Sequence, residues 1–106
     1  MDRDRGAVGP VLQATPFAEA LVAAIREEND DVLVRHEGAY LRVLVPCVCR
    51  LSRSAVQAVT GQDVQFPGDL EVVMSSFTGR MRLTDHGAVW WLSGETPPAT
   101  SEEDRR

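Results

Sequence analysis

Cys47 and Cys49 are the side chains whose type and spacing could most directly support chemistry in this 106-residue chain. Two thiols can form a disulfide or supply half of a zinc site. If both lie in one strand they share a face, which is a poor geometry for a disulfide, and zinc would need two further ligands. His36 and His86 do not show metal-type spacing. We therefore expect reduced structural thiols, no bound metal and a reducing compartment.

Acid–base chemistry has one candidate, the adjacent pair Asp85 and His86. Both precede Gly87 in a predicted hairpin turn, where Gly87 is free to adopt positive φ and water solvates the pair. Trp90 and Trp91 could form a ligand box, but adjacent strand residues point to opposite faces. We expect one tryptophan in the core and the other beneath a helix. The sequence also lacks a paired Glu-x-x-His motif, a nucleophile elbow and a glycine-rich phosphate loop. These patterns predict neither catalysis nor a cofactor.

The composition restricts the partners and the compartment. The net charge is −5, and all 11 basic residues are arginine. This acidity argues against binding to nucleic acid or to an anionic membrane. No apolar run reaches membrane-span length, and the first residues, MDRDRG, lack the apolar region of a signal peptide. We expect a cytoplasmic, single-domain protein that is monomeric when free.

Helical periodicity predicts two helices in the first two thirds of the chain. Thr15 is placed as an N-cap before an apolar stripe at helical spacing, which predicts a helix over Pro16–Glu28. Ser52 caps a second predicted helix over Arg53–Thr60, which Gly61 ends.

Strands are predicted in four further segments, namely Ala7–Gln13 and residues 32–36, 39–45 and 47–51. Pro10 lacks an N–H, so its segment is predicted to be an edge strand or an extended arm. Residues 1–6 and 93–106 are expected to be mobile and disordered tails around a domain at residues 7–92.

The stretch at residues 69–92 holds the most distinctive residues. Phe66 and Pro67 open a short third helix. Residues 80–83 and 88–92 are predicted to pair as a hairpin. Between helix and hairpin, Phe77 either plugs the core from a helix-to-strand connection or faces a partner. The elements run β-α-β-β-β-α-α-β-β, which predicts a compact α+β domain with antiparallel sheet.

Three segments carry a resemblance to a known family. They are VGPVL at residues 8–12, GAYLRV at residues 38–43, and DLEVVMSSFTGRM at residues 69–81 followed by a turn and an aromatic strand. In this order they resemble the effector (coupling or regulatory) proteins of soluble di-iron multicomponent monooxygenases, over residues 8–92. The resemblance implies two small sheets at an angle with helices packed against them. It also implies a non-enzymatic subunit without a cofactor. Such a subunit binds the di-iron hydroxylase component and controls oxygen activation, substrate entry and coupling of NADH use to hydroxylation.

The resemblance also implies a site. In methane-oxidising members, the positions matching Val73, Ser75, Ser76 and Phe77 lie in a stretch associated with substrate access. In those members the residue at the position of Phe77 is smaller and polar, and the residue at the position of Val73 is polar. Those departures, with the short N-terminal arm, favour larger alkanes, alkenes or aromatics as substrates. The candidate partner-binding residues are Val73, Ser75, Ser76, Phe77, Thr78, Gly79 and Arg80.

Two other interpretations remain open at this point. One is a small-ligand-sensing α+β regulatory domain, which would need a polar pocket between subunits. The other is an effector-like partner of a biosynthetic di-iron oxygenase. A neighbouring hydroxylase gene with paired Glu-x-x-His motifs would favour the effector interpretation.

Overall fold

The computed structural model describes residues 6–98, and these form seven strands and three helices. In chain order the elements are β1 (Ala7–Gln13), α1 (Pro16–Glu28), β2 (Leu33–Glu37), β3 (Tyr40–Pro46), β4 (Val48–Ser52), α2 (Arg53–Thr60), α3 (Gly68–Val73), β5 (Met74–Thr78), β6 (Arg80–Leu83) and β7 (Gly87–Trp91). The α+β class is confirmed. The predicted order of elements lacks strand β5, because the sequence pattern indicated a helix-to-strand connection at that place. The tails predicted at residues 1–6 and 93–106 lie largely outside the described residues.

Side-chain caps fix the start of the two longer helices. The Thr15 hydroxyl accepts a hydrogen bond from Ala18 N at 3.0 Å. The Ser52 hydroxyl accepts one from Ala55 N at 3.1 Å. Each cap satisfies an amide that the first helical turn leaves without a partner. The predicted bounds of α1 and α2 are confirmed, as is the end of α2 at Gly61.

The strands form two antiparallel sheets, ordered β2-β3-β1-β5 and β4-β7-β6. Strand β1 lies inside the four-stranded sheet, so the prediction of an edge strand or an arm is wrong. The pairing of β1 with β3 skips Gly9 and Pro10. The missing N–H of Pro10 therefore falls where no pair with β3 forms, which explains how an interior strand tolerates proline. The predicted hairpin of β6 and β7 is confirmed.

Two local conformations differ from those predicted. Cys47 lies outside β4 at a bend with φ of 68°, and it is exposed whereas Cys49 is buried. The two thiols therefore do not share a strand face. Gly87 is not among the glycines with positive φ. A Cβ at Gly87 would instead collide with the carbonyl oxygen of Leu51, so glycine here permits the close approach of β4 and β7.

One hydrophobic cluster joins all three helices to both sheets. Its fully buried members include Leu21 of α1, Val56 of α2 and Leu70 of α3, with Trp90 the largest. Trp91 is also buried, and strand residues Arg80 and Val48 flank it in the sheet. Strand alternation places Trp91 on the face opposite to that cluster.

Candidate partner-binding site

The seven candidate residues run from the end of α3 across β5 to the start of β6. Four of them have exposed side chains, namely Ser75, Ser76, Phe77 and Arg80. Thr78 and Gly79 are half-buried. Val73 is 7% exposed and belongs to the core cluster, so its side chain supports the surface from below. The structure therefore brings six of the seven residues onto one surface segment.

Strands β5 and β6 are both edge strands, β5 of the four-stranded sheet and β6 of the three-stranded sheet. We call residues 74–83 the edge segment. An edge strand has a neighbour on one side only, so its other side faces away from the sheet. A partner can approach the edge segment without displacing another strand.

A β-bulge at Ser75 shapes the first half of the edge segment. Ser76 pairs with Val11 and Met74 pairs with Leu12, which leaves Ser75 as the extra residue. The Ser75 hydroxyl donates a hydrogen bond to the carbonyl oxygen of Val11 at 3.3 Å. Because a bulge twists an edge strand and hinders pairing with a further strand, β5 is better suited to present side chains than backbone groups.

Phe77 leaves a large part of its ring in water. It lies opposite the fully buried Pro10 in the register of β5 and β1, yet it is 41% exposed. The interpretation of Phe77 as a plug of the core is therefore wrong. Part of the Phe77 ring therefore packs at the rim of the sheet, and the rest of the ring is available for contact with a partner.

Gly79 carries the chain from one sheet to the other. Its φ is +96°, and a Cβ there would lie 2.5 Å from Trp91 O and 2.7 Å from Val8 Cγ1. A side chain would therefore collide with a backbone atom as well as adopt an unfavourable φ. Glycine at this position fixes how β5 and β6 meet, with Phe77 before the crossing and Arg80 after it.

Comparison with known proteins then decides the family. Residues 6–91, most of the chain, match the model of the MmoB/DmpM family. The chain belongs to the MmoB/DmpM family. It is 34% identical, over 92 residues, to the effector subunit of the alkene monooxygenase system of Xanthobacter autotrophicus strain Py2. That alignment covers 85% of this chain and 90% of the relative.

The fold of this MmoB/DmpM protein is also found in solved structures of a phenol hydroxylase–regulatory protein complex. One superposes with a TM-score of 0.72 at 18% identity, covering 82% of this chain and 98% of the matched chain. A second superposes with a TM-score of 0.69 at 22% identity, covering 80% and 99%. These similarities confirm the predicted architecture, and the family match confirms the resemblance read from the sequence.

The relative from Xanthobacter autotrophicus is an effector subunit, and this member of the MmoB/DmpM family is a regulatory component rather than an enzyme. Within residues 6–98, no group of three or more His, Cys, Asp and Glu side chains is placed to hold a metal ion. At the hairpin turn, His86 Nε2 lies 3.7 Å from Asp85 Oδ1, and both side chains are exposed. No helix of the described range has the length and apolar character needed to cross a membrane.

Cys49 has the character of a structural thiol. Burial raises the pKa of the Cys49 thiol well above its ordinary value of 9.0, and the Glu28 carboxylate adds to the rise. The thiolate, which is the reactive form, is therefore disfavoured.

Val72 is the functional candidate that the sequence analysis missed. It is 77% exposed on α3, more than any other large hydrophobic residue in the described part of the chain. With Phe17, Val64 and Val73 it lines a shallow cavity of about 330 Å³. A signal was present, because Leu70 and Val73, three residues apart, define the buried side of α3 and turn Val72 away from it.

Proposed function

We propose that this protein is the effector subunit of a bacterial di-iron multicomponent monooxygenase and binds its hydroxylase component through Val72 and the edge segment. The observation that carries the proposal is that Val72 and Phe77 both leave apolar surface in water. They lie on α3 and on the edge strand β5, which follow each other directly in the chain. Exposed apolar side chains beside polar ones are typical of surfaces that bind another protein. The 34% identity to an alkene monooxygenase effector subunit supports the hydroxylase as that partner and an alkene or similar hydrocarbon as substrate.

Regulation by such a subunit requires preferential binding to one state of the hydroxylase. A protein that bound two hydroxylase conformations with equal affinity would shift nothing. Ser75 is tied to β1 by a hydrogen bond, and Gly79 is closely packed against Trp91 and Val8. The edge segment therefore presents Phe77 in a fixed position, which fits one hydroxylase surface better than another. In this proposal that preference controls oxygen activation, substrate entry and coupling of NADH use to hydroxylation.

Reconstitution tests the proposal. The cognate hydroxylase and reductase are assayed for product formed per NADH consumed, with increasing amounts of this protein. We expect the product yield to rise and to saturate. Ser76→Trp should lower the yield, because it adds bulk to the exposed side of β5. His36→Trp is the matched control, since His36 is exposed on β2, the other edge strand of the same sheet. A product yield that stays constant across the titration would overturn the proposal.

A further inference from the structure

Strand β4 is an edge strand of the three-stranded sheet, and side chains from the end of α1 bond to its backbone. Asn29 Nδ2 donates a hydrogen bond to the carbonyl oxygen of Arg50 at 2.7 Å, and Asn29 Oδ1 accepts one from Arg50 N at 2.9 Å. Glu28 Oε1 accepts a hydrogen bond from Ser52 N at 2.7 Å. We call Glu28 and Asn29 the strap.

The register of β4 and β7 shows that the groups bound by the strap point away from the sheet. Arg53 N donates a hydrogen bond to His86 O at 2.8 Å, which makes residues 53 and 86 a hydrogen-bonded pair. Such pairs alternate with pairs that lack hydrogen bonds along an antiparallel ladder. Ser52 and Arg50, one and three positions earlier, therefore direct their backbone N–H and C=O groups outward. The strap thus binds the side of β4 where the sheet supplies no neighbouring strand.

The side-chain amide of Asn29 imitates a peptide group of a neighbouring strand. Its Nδ2 also donates to Ile25 O at 2.8 Å, so its two hydrogens serve the last turn of α1 and the edge of β4. The reverse orientation of the amide would set Oδ1 against both of these carbonyl oxygens. Ile25 of α1 and Cys49 of β4 both belong to the core cluster, which holds the end of the helix beside the strand.

Strand β6, the other edge strand of the same sheet, provides an internal comparison. Thr84 N donates a hydrogen bond to Gly87 O at 2.8 Å, so the same alternation applies to the pairing of β6 with β7. The backbone groups of Met81 and Leu83 therefore point to the outer side of β6, where the strand order gives no neighbour. The two edges of this sheet thus differ, because α1 supplies a strap to β4.

We propose that the strap closes the outer edge of β4 and prevents the chain from pairing with a second copy through this strand. An open strand edge offers its N–H and C=O groups to another chain. The same edge of a second copy fits it, because two identical edges can pair antiparallel about a two-fold axis. The strap occupies the outward groups of Arg50 and the outward N–H of Ser52. This device acts in the free protein, whatever its partner.

Amide hydrogen exchange, followed by NMR in dilute protein, tests the strap one residue at a time. Asn29→Ala should speed exchange of the Arg50 amide by at least about tenfold and leave the Ser52 amide within about twofold of wild type. Glu28→Ala should produce the reverse pattern. The Met81 amide, on the open edge of β6, should exchange quickly in all variants. Equal acceleration at Arg50 and Ser52 in both variants would indicate a general loss of stability and would overturn the role of the strap.

Self-association is measured by analytical ultracentrifugation over a range of protein concentrations. Glu28→Ala with Asn29→Ala should show a monomer–dimer equilibrium shifted toward the dimer by at least about tenfold relative to wild type. Glu27→Ala is the matched control, because Glu27 is an exposed neighbour of the strap and the change removes the same single charge. Adding Arg50→Pro to the double variant removes an outward N–H without removing a bond to β7, and should restore the monomer.

Three results would contradict the proposal. The double variant could be folded by circular dichroism and remain monomeric at every concentration. Its dimer could persist after Arg50→Pro, which would place the contact elsewhere. The control Glu27→Ala could dimerise as strongly as the double variant, which would assign the effect to charge. If the double variant does not fold, the two single variants decide the question in the same measurements.

Discussion

Replacing Phe77 by alanine is the sharpest single test of the candidate site. The side chain is 41% exposed. A phenylalanine offers about 200 Å² of surface, so about 80 Å² remains in water in the free protein. At about 25 cal/mol per Å², burying that area against a partner would contribute about 2 kcal/mol. Removing it should weaken hydroxylase binding about 30-fold, since about 1.4 kcal/mol corresponds to a factor of ten.

The same exposed fraction limits the expected loss of stability. About 120 Å² of Phe77 is covered within the protein, which gives an upper limit of about 3 kcal/mol for its contribution to folding. A core phenylalanine would cost about 3–5 kcal/mol when truncated. The variant should therefore remain folded at 25 °C, as verified by circular dichroism and a thermal melt, while its dissociation constant rises in calorimetric titration.

Tyr40 provides a matched control, because it is also 41% exposed and aromatic but lies on β3, outside the candidate segment. We expect Tyr40→Ala to alter the dissociation constant by less than about threefold. The reasoning would be refuted if folded Phe77→Ala bound the hydroxylase within twofold of wild type. It would also be refuted if both alanine variants lost affinity equally, since exposure alone would then explain the loss.

Three further predictions concern the cysteines and Gly79. In the native protein a thiol reagent should modify Cys47, which is exposed, and reach Cys49 only after denaturation; mass spectrometry counts the labels. Burial raises the pKa of Cys49 above its ordinary value of 9.0, so the thiol loses its proton at a lower pH in the unfolded state than in the folded state. The free energy of unfolding should therefore fall above about pH 9, by up to about 1.4 kcal/mol per pH unit. Cys49→Ala should remove that fall. Gly79→Ala should lower the free energy of unfolding, measured in urea, by at least about 2 kcal/mol, because the new Cβ would collide with Trp91 O. Gly38→Ala is the control, with a φ of +62° and open space around it, and should lower the free energy of unfolding by only about 1 kcal/mol. Equal losses would refute the role of the Trp91 contact.

The helices could be predicted because their signals are local. The Thr15 and Ser52 caps act on amides three residues away, and the apolar stripe of α1 repeats within thirteen residues. The position of β1 could not be predicted in this way, because edge and interior strands differ in their partners, which lie far along the chain. Pro10 suggested an edge, but the interruption of pairing that accommodates it is visible only in three dimensions.

Strand β5 escaped prediction for a different physical reason. Its residues Ser75, Ser76 and Phe77 are exposed in succession, so they lack the alternation that marks a half-buried strand. The bulge at Ser75 breaks the period further. The resemblance to effector proteins pointed to this stretch as a candidate site, whereas the residue pattern could not decide whether Phe77 faced the core or the solvent. The exposure of Phe77 depends on the edge position of β5, a property of the whole sheet.

An edge strand that exposes a phenylalanine carries a risk of pairing with other copies of the chain, and the local structure opposes that risk. The bulge at Ser75 disturbs the outer ladder of β5, and Arg80 adds a charge directly after the crossing at Gly79. Both features hinder strand-to-strand association, yet neither covers the ring of Phe77. A partner that offers an apolar pocket can cover the ring of Phe77 without pairing with the backbone of β5. The bulge that hinders self-pairing of the free protein thus leaves the exposed part of the Phe77 ring available to a partner of a different shape.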